Sequence, residues 1–225
     1  METTWRVLAW LAPVGGSVIL GVIASFIVVF FVESKRKPCL KLTAAPPSDQ
    51  LYKTGYPATV MRALRVRVRN EELPRWLRWM GREPAQDCIG TITFLYLDDR
   101  RRLFTDDMPG RWAGSPEPVA LRGVVGTAPL LLWDPARLSI ISKMNVPAGE
   151  QEDLDVVVRL DDESDAYGWN NESYQNAWRN PNWRLDKGRY VLQVTIRSAG
   201  QKVSERFLLN NDLDRRQFRL EVLEG

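Results

Sequence analysis

One run without a charged side chain, Val7 to Val32, constrains this chain more than any other feature. At about 1.5 Å per residue, a helix of this length crosses a bilayer core of roughly 30 Å. A secretory signal peptide has an apolar core of only about 7–15 residues and a small-residue cleavage site, whereas this run ends in Phe30-Phe31-Val32. The run therefore predicts an uncleaved transmembrane helix over residues 7–32, after a short tail of residues 1–6.

The charges beside this helix predict its orientation. Only Arg6 is basic before it, whereas Lys35, Arg36 and Lys37 follow it in a linker of residues 33–37. Because positive charge tends to stay on the cytoplasmic side, we expect the N-terminus outside and the C-terminal domain in the cytoplasm. The same three residues are candidates for contact with lipid headgroups, and we favour the alternative that they only set the orientation.

Small residues recur along one face of the predicted helix. Ser17, Gly21 and Ser25 are spaced four apart, and small residues in this pattern let a second helix approach closely. We therefore expect packing against other integral-membrane subunits. The alternative is that glycine is simply common in membrane helices.

The chain contains no histidine, which excludes Ser-His-Asp and Cys-His catalytic groups and histidine-ligated metal sites. Two cysteines, Cys39 and Cys88, are too few for a disulfide scaffold. The net charge of +3 argues neither for nor against a nucleic-acid partner. We expect none, because no wider basic groove is evident around the aromatic and basic loop of residues 71–86. We expect no enzyme activity, metal or cofactor; loop carboxylates such as Asp161 and Asp165 are the remaining candidates for a catalytic pair.

Residues 38–225 carry the alternating pattern of strands. In Met61–Asn70, leucine and valine alternate with arginine, which predicts a half-buried strand with a basic outer face. The other predicted strands are Pro38–Thr43, Asp87–Leu97, Leu130–Trp133, Leu138–Ser142, Asp153–Leu160, Gly188–Ser198, Val203–Asn210 and Gln217–Leu223. Long loops are expected at residues 71–86, 98–118 and 161–184. Short strands separated by Gly, Pro and Asn turns are typical of a sandwich or barrel.

The segment Leu185–Val194 has the form L-x-x-G-x-Y-x-L-x-V. It resembles the tyrosine corner of immunoglobulin-like and fibronectin-III-like domains. Over residues 38–223 the resemblance implies a mainly β fold, an immunoglobulin-like antiparallel β-sandwich preceded by one transmembrane helix. It implies that Gly188 makes the turn and that the Tyr190 hydroxyl bonds to upstream backbone. The antibody-type Cys…Trp…Cys spacing is missing, which excludes a conventional immunoglobulin domain.

Two loops are rich in the aromatic residues that anchor interfaces. The candidate partner-binding residues are Trp76 and Trp79 in the first loop, and Tyr167, Trp169, Tyr174, Trp178 and Trp183 in the insert of residues 161–184. For both loops the alternative is packing against the core of the same chain. Sugar stacking is a further alternative for the insert.

Acidic residues are concentrated at 150–165 and arginines at 60–82. The two regions either steer complementary partners or neutralise each other locally. Acids at positions 1, 3, 5 and 12 of the window 161–172 match a calcium loop, but Ala166 replaces its glycine and strands replace its flanking helices. We favour a solvated acidic turn.

These features together predict a non-catalytic, single-pass membrane protein. Its β-sandwich would be a structural or interaction module, acting as an accessory subunit of a larger membrane complex, for example a respiratory or photosynthetic one. A small-molecule ligand is not expected. The alternative is a membrane-anchored sensor whose domain lies outside the cytoplasm and binds sugar or peptide through residues 161–184.

Overall fold

The computed structural model describes residues 22–52, 59–125, 128–161, 163–212 and 214–223. The chain divides into two compact units. The first comprises Met1–Pro38 and Glu72–Glu83, and the second comprises Cys39–Glu71 and Pro84–Gly225. Part of the stretch predicted as one domain, residues 72–83, therefore groups with the N-terminal segment.

The first unit contains helix α1, residues 22–36, and a short 3-10 helix, Arg75–Met80. Two hydrogen bonds join these pieces: the Glu83 amide donates to the Arg36 carbonyl (2.7 Å), and Arg82 Nη1 donates to the Lys37 carbonyl (2.8 Å). The large apolar side chains that α1 exposes are Val22, Ile23, Phe26, Ile27, Val28, Val29, Phe30 and Phe31.

Within the described ranges, no helix combines the length and the apolar composition needed to cross a membrane. The predicted location, a single-pass membrane protein with a cytoplasmic domain, is therefore wrong for the described chain. Ser17 and Gly21 lie outside the described residues.

The second unit is built almost entirely from strands. In chain order they are β1 (Leu40–Ala44), β2 (Ser48–Tyr52), β3 (Thr59–Asn70), β4 (Ala85–Tyr96), β5 (Met108–Pro109), β6 (Arg111–Trp112), β7 (Val119–Val125), β8 (Ala128–Trp133), β9 (Lys143–Val146), β10 (Gln151–Leu160), β11 (Ala166–Gly168), β12 (Arg184–Leu185), β13 (Gly188–Ser198), β14 (Gln201–Asn211) and β15 (Arg219–Val222). A one-turn helix, α2 (Pro135–Ser139), precedes β9.

These strands form two antiparallel sheets and a separate hairpin. The first sheet has the order β1-β3-β10-β11-β12, with β2 also paired to β3 and β6 to β10. The second has the order β15-β14-β13-β4-β5, with β9 also paired to β4, while β7 pairs with β8. The prediction of a mainly β, antiparallel, sandwich-like fold is confirmed.

Alternating side chains of the two sheets meet in one core. In β3 the predicted apolar set, Leu64, Val66 and Val68, is buried, as is the set Leu192, Val194 and Ile196 of β13. Trp112 is fully buried in the same core, and its Nε1 donates to the Cys88 carbonyl at 3.0 Å. The inward-facing set of each strand thus holds the sandwich together.

The strand predicted at Leu138–Ser142 is wrong. Helix α2 begins at Pro135 instead, because the Asp134 side chain accepts hydrogen bonds from the Ala136 and Arg137 amides. Aspartate before a proline at the first helical position is a favourable helix start. Strand β9 then begins at Lys143, directly after the predicted strand ends.

Candidate functional site

Trp76 and Trp79 project from the short 3-10 helix of the first unit. They are 69% and 79% exposed, whereas Leu77 between them is 4% exposed. Arg78 on the same turn donates through Nη2 to Glu72 Oε2 at 2.6 Å. The buried leucine and the ion pair hold the turn, so the two indole rings form an exposed aromatic surface among arginines.

The predicted lipid-headgroup residues also belong to the first unit. Lys35 Nζ lies 5.9 Å from the centre of the Phe31 ring, and Arg36 pairs with Glu83 at 3.8 Å. Lys37 contributes its carbonyl to Arg82. Ser25, predicted to pack against another helix, is an exposed residue of α1.

The insert of residues 161–184 folds back onto the second unit. Its fifth aromatic residue, Trp178, is half-buried. The other four are buried: Tyr167, Trp169, Tyr174 and Trp183. The rings contact one another and the core, with 4.3 Å between the ring centres of Tyr174 and Trp178 and 5.0 Å between those of Phe104 and Trp183. The insert therefore packs on its own chain, and its aromatic rings do not form an exposed surface for a partner.

A buried ionic group lies beneath the insert. The carboxylate of Asp155, which has no exposed surface, accepts hydrogen bonds from Arg65 Nε and Arg111 Nη1, both at 2.7 Å. The two guanidinium carbons lie over insert rings, 5.3 Å from Trp169 and 5.2 Å from Tyr174. Burial raises the pKa of Asp155, and the two guanidinium groups oppose that shift. The group joins β3, β6 and β10 to the insert.

The basic and acidic regions of the sequence neutralise each other locally. Strands β3 and β10 are antiparallel neighbours, and their register places Arg67 opposite Asp153 and Arg65 opposite Asp155. Within the insert, Arg184 Nη2 lies 2.7 Å from Asp165. Across the described ranges, no group of three or more Asp, Glu, His or Cys side chains is placed to hold a metal ion.

A groove runs along the surface of the insert. One wall is α2 with residues 140–143, and the other is the segment 170–182; Pro109, Gly110, Ser115 and Pro116 complete the lining. It consists of three adjoining cavities of about 450, 80 and 280 Å³. The first and second share the lining residues Leu138 and Glu172, and the second and third share Ile140 and Asn171. Sequence reasoning missed this site because its walls come from segments about thirty residues apart.

The two cysteine thiols have different environments. Cys39 is exposed, whereas Cys88 is fully buried. Burial, reinforced by the charge of Asp87, raises the pKa of the Cys88 thiol to about 11. A nucleophilic cysteine needs a lowered pKa, so Cys88 is a structural residue.

No protein-family model, no curated protein and no solved structure matches this chain.

Proposed function

We propose that this protein is a non-catalytic interaction module, an accessory subunit that binds another protein of a larger complex. The observation that carries this proposal is the exposure of Trp76 and Trp79. Tryptophan and arginine are the residue types that contribute most to binding energy at protein interfaces. A cluster of both on one turn is costly to leave in water and favourable to bury against a partner.

The topology of the second unit supports an immunoglobulin-like assignment for the sandwich. Strands β1, β3 and β10 are neighbours in one sheet, and β14, β13 and β4 are neighbours in the other. In chain order these correspond to the A-B-E and G-F-C strands of that fold. The Tyr190 hydroxyl donates to the Asp186 carbonyl at 3.0 Å, which is the contact of a tyrosine corner. Many domains of this architecture present loops for binding.

The charges around the two tryptophans favour a partner with an acidic rim. Arg75, Arg78 and Arg82 lie on or beside the same turn, and Glu72 neutralises one of them. The apolar side chains that α1 exposes belong to the same unit. Large apolar side chains left exposed mark interaction surfaces. The partner therefore has an apolar pocket with carboxylates around it.

Site-specific photocrosslinking in the native cell tests this proposal. A photoreactive phenylalanine analogue at position 76 is expected to crosslink one protein in high yield, whereas the analogue at the buried position 183 is not. The same protein should co-purify with the wild type and be lost with the double variant Trp76→Ala, Trp79→Ala.

Leu51→Ala is the matched control, because Leu51 is 67% exposed in the second unit. It removes a comparably exposed apolar side chain and should retain the partner. Retention of the partner by the double tryptophan variant would overturn the proposal.

A further inference from the structure

We infer that the groove between α2 and the insert binds an extended peptide, with an acidic residue at its Arg137–Lys143 end and a basic residue at its Glu172 end. This is a second binding site, on the second unit, and does not depend on the tryptophan surface. The groove has preformed walls, polar groups at its centre and charged residues at both ends.

The two walls are held in place before any ligand arrives. Asn171 Nδ2 donates to the carbonyls of Arg137 (3.2 Å) and Ile140 (3.3 Å), which fastens the end of α2 to the 3-10 helix Asn171–Tyr174. Asn170 and Ser173 form a capping box that fixes the start of that helix. A site whose walls are fixed in this way loses little conformational freedom on binding.

Two asparagine side chains that line the narrow centre of the groove each have a buried polar atom without a partner among the described residues. Asn170 is 1% exposed, and its Nδ2 has no hydrogen-bond partner among the residues that the structure describes. The Oδ1 of Asn171, next to it, has none in the same residues. Buried polar groups are normally paired, and a peptide group offers both the carbonyl and the N–H that these two atoms require.

Apolar and amide side chains extend this centre in both directions. Ile140 and Ile141 are 59% and 52% exposed on its rim, where they can contact an apolar side chain of a ligand. The widest cavity is lined by the amides Gln175, Asn176, Asn180 and Asn182. Side-chain amides donate and accept at once, which suits the regular backbone of an extended chain.

The charges at the two ends have opposite sign. Arg137 and Lys143 are the charged residues lining the cavity of about 280 Å³, together with the Ser115 and Ser142 hydroxyls. Glu172 is the charged residue lining the cavity of about 450 Å³. Arg137 Nε pairs with Asp134 at 3.3 Å and Lys143 Nζ pairs with Asp87 at 3.7 Å. Each cation therefore has one carboxylate partner and further N–H groups that can donate to a ligand carboxylate. Complementary charges fix the direction in which a peptide lies.

A peptide fits this groove better than a sugar does. Sugar rings bind by stacking on exposed aromatic faces, and the described lining residues of all three cavities include no aromatic side chain. The rings of the insert are instead packed on the arginines and the core.

Selection from a displayed library of random twelve-residue peptides, on the full-length chain, tests the inference. The enriched peptides should place an acidic and a basic residue on either side of an apolar one. Their affinity for the chain, measured by titration calorimetry, should fall about tenfold or more in the double variant Arg137→Glu, Lys143→Glu, the groove variant. Ile141→Ala should weaken them without affecting folding, because this side chain is exposed.

Lys202→Glu is the control variant, since Lys202 is an exposed lysine of β14 outside the groove. It should bind the peptides as the wild type does. Failure to enrich any peptide, or equal affinity for the groove variant and the control, would overturn the inference. Binding of an oligosaccharide array in place of the peptides would also overturn it.

Discussion

The guanidinium carbon of Arg111 lies 5.2 Å from the centre of the Tyr174 ring. The same guanidinium group donates to the carboxylate of Asp155 in the core, while Tyr174 belongs to the insert. A cation over an aromatic face is attracted by the electrons of the ring, more strongly where water is excluded. The buried ionic group and the insert that covers it therefore stabilise each other.

Replacing Asp155 should destabilise the protein strongly. Asp155→Asn keeps the shape of the side chain but leaves Arg65 and Arg111 without their carboxylate. Breaking a buried ion pair on one side costs about 3–5 kcal/mol. We expect a loss of that size in the free energy of unfolding, measured by urea denaturation.

Asp153→Asn is the matched control for this change. Asp153 lies two residues away on β10 and pairs with Arg67 of β3, but both side chains are partly exposed. Exposed pairs contribute about 0–1 kcal/mol. Similar destabilisation by the two variants would show that Asp155 has no special structural role.

Removing the Tyr190 hydroxyl should have a small, defined effect. Tyr190→Phe deletes the hydrogen bond to the Asp186 carbonyl and leaves the ring in the core. The expected loss of stability is about 1 kcal/mol. Tyr96 lies opposite Tyr190 across the strand pair and is exposed, so Tyr96→Phe should change stability by less than about 0.5 kcal/mol. Equal effects of both substitutions would contradict this account of the corner.

The insert should tolerate no added volume at Gly168. A Cβ atom there would lie 2.6 Å from Met108 Sδ and 2.9 Å from the Cβ of Trp183. Overpacking of a core costs about 1–3 kcal/mol, which thermal unfolding of Gly168→Ala will detect. At Gly114 the corresponding nearest contact is 3.5 Å, so Gly114→Ala serves as the neutral comparison. An unchanged melting temperature for Gly168→Ala would mean that the insert packs loosely.

The two thiols should react at very different rates. With a pKa of about 11, the buried Cys88 is only about one part in a thousand thiolate at pH 8. Ellman's reagent should therefore modify one equivalent, Cys39, quickly, and the second only after unfolding in guanidinium. Cys39→Ser should abolish the fast phase. Two fast equivalents in the native protein would contradict the burial of Cys88.

Local patterns in the sequence were sufficient for the strands that form the centre of the sandwich. The predicted strand Gly188–Ser198 has the bounds of β13, because its inward face alternates and Gly188 marks its start. The alternation of Met61–Asn70 was equally informative for β3. A two-residue period reports burial directly, since successive side chains point to opposite faces of a sheet.

The environment of the insert could not be predicted in the same way. Aromatic residues in a long polar loop have the same local pattern whether they face a partner or their own core. Contacts between residues that are distant in sequence decide between these two arrangements. One such contact is the hydrogen bond from Arg65 to Asp155, ninety residues away. Helix α2 differs from the prediction for another reason. The apolar residues of Leu138–Ser142 resemble a strand, whereas the helix start depends on Asp134 and Pro135, which precede them.

The most direct test of the central claim is an affinity measurement between the full-length chain and the partner that crosslinking identifies, purified separately. If Trp76 and Trp79 are the anchors of the interface, the double variant Trp76→Ala, Trp79→Ala should bind at least about thirtyfold more weakly than the wild type. Leu51→Ala should bind with unchanged affinity. Equal dissociation constants for wild type and double variant would show that the exposed tryptophans are not the binding surface.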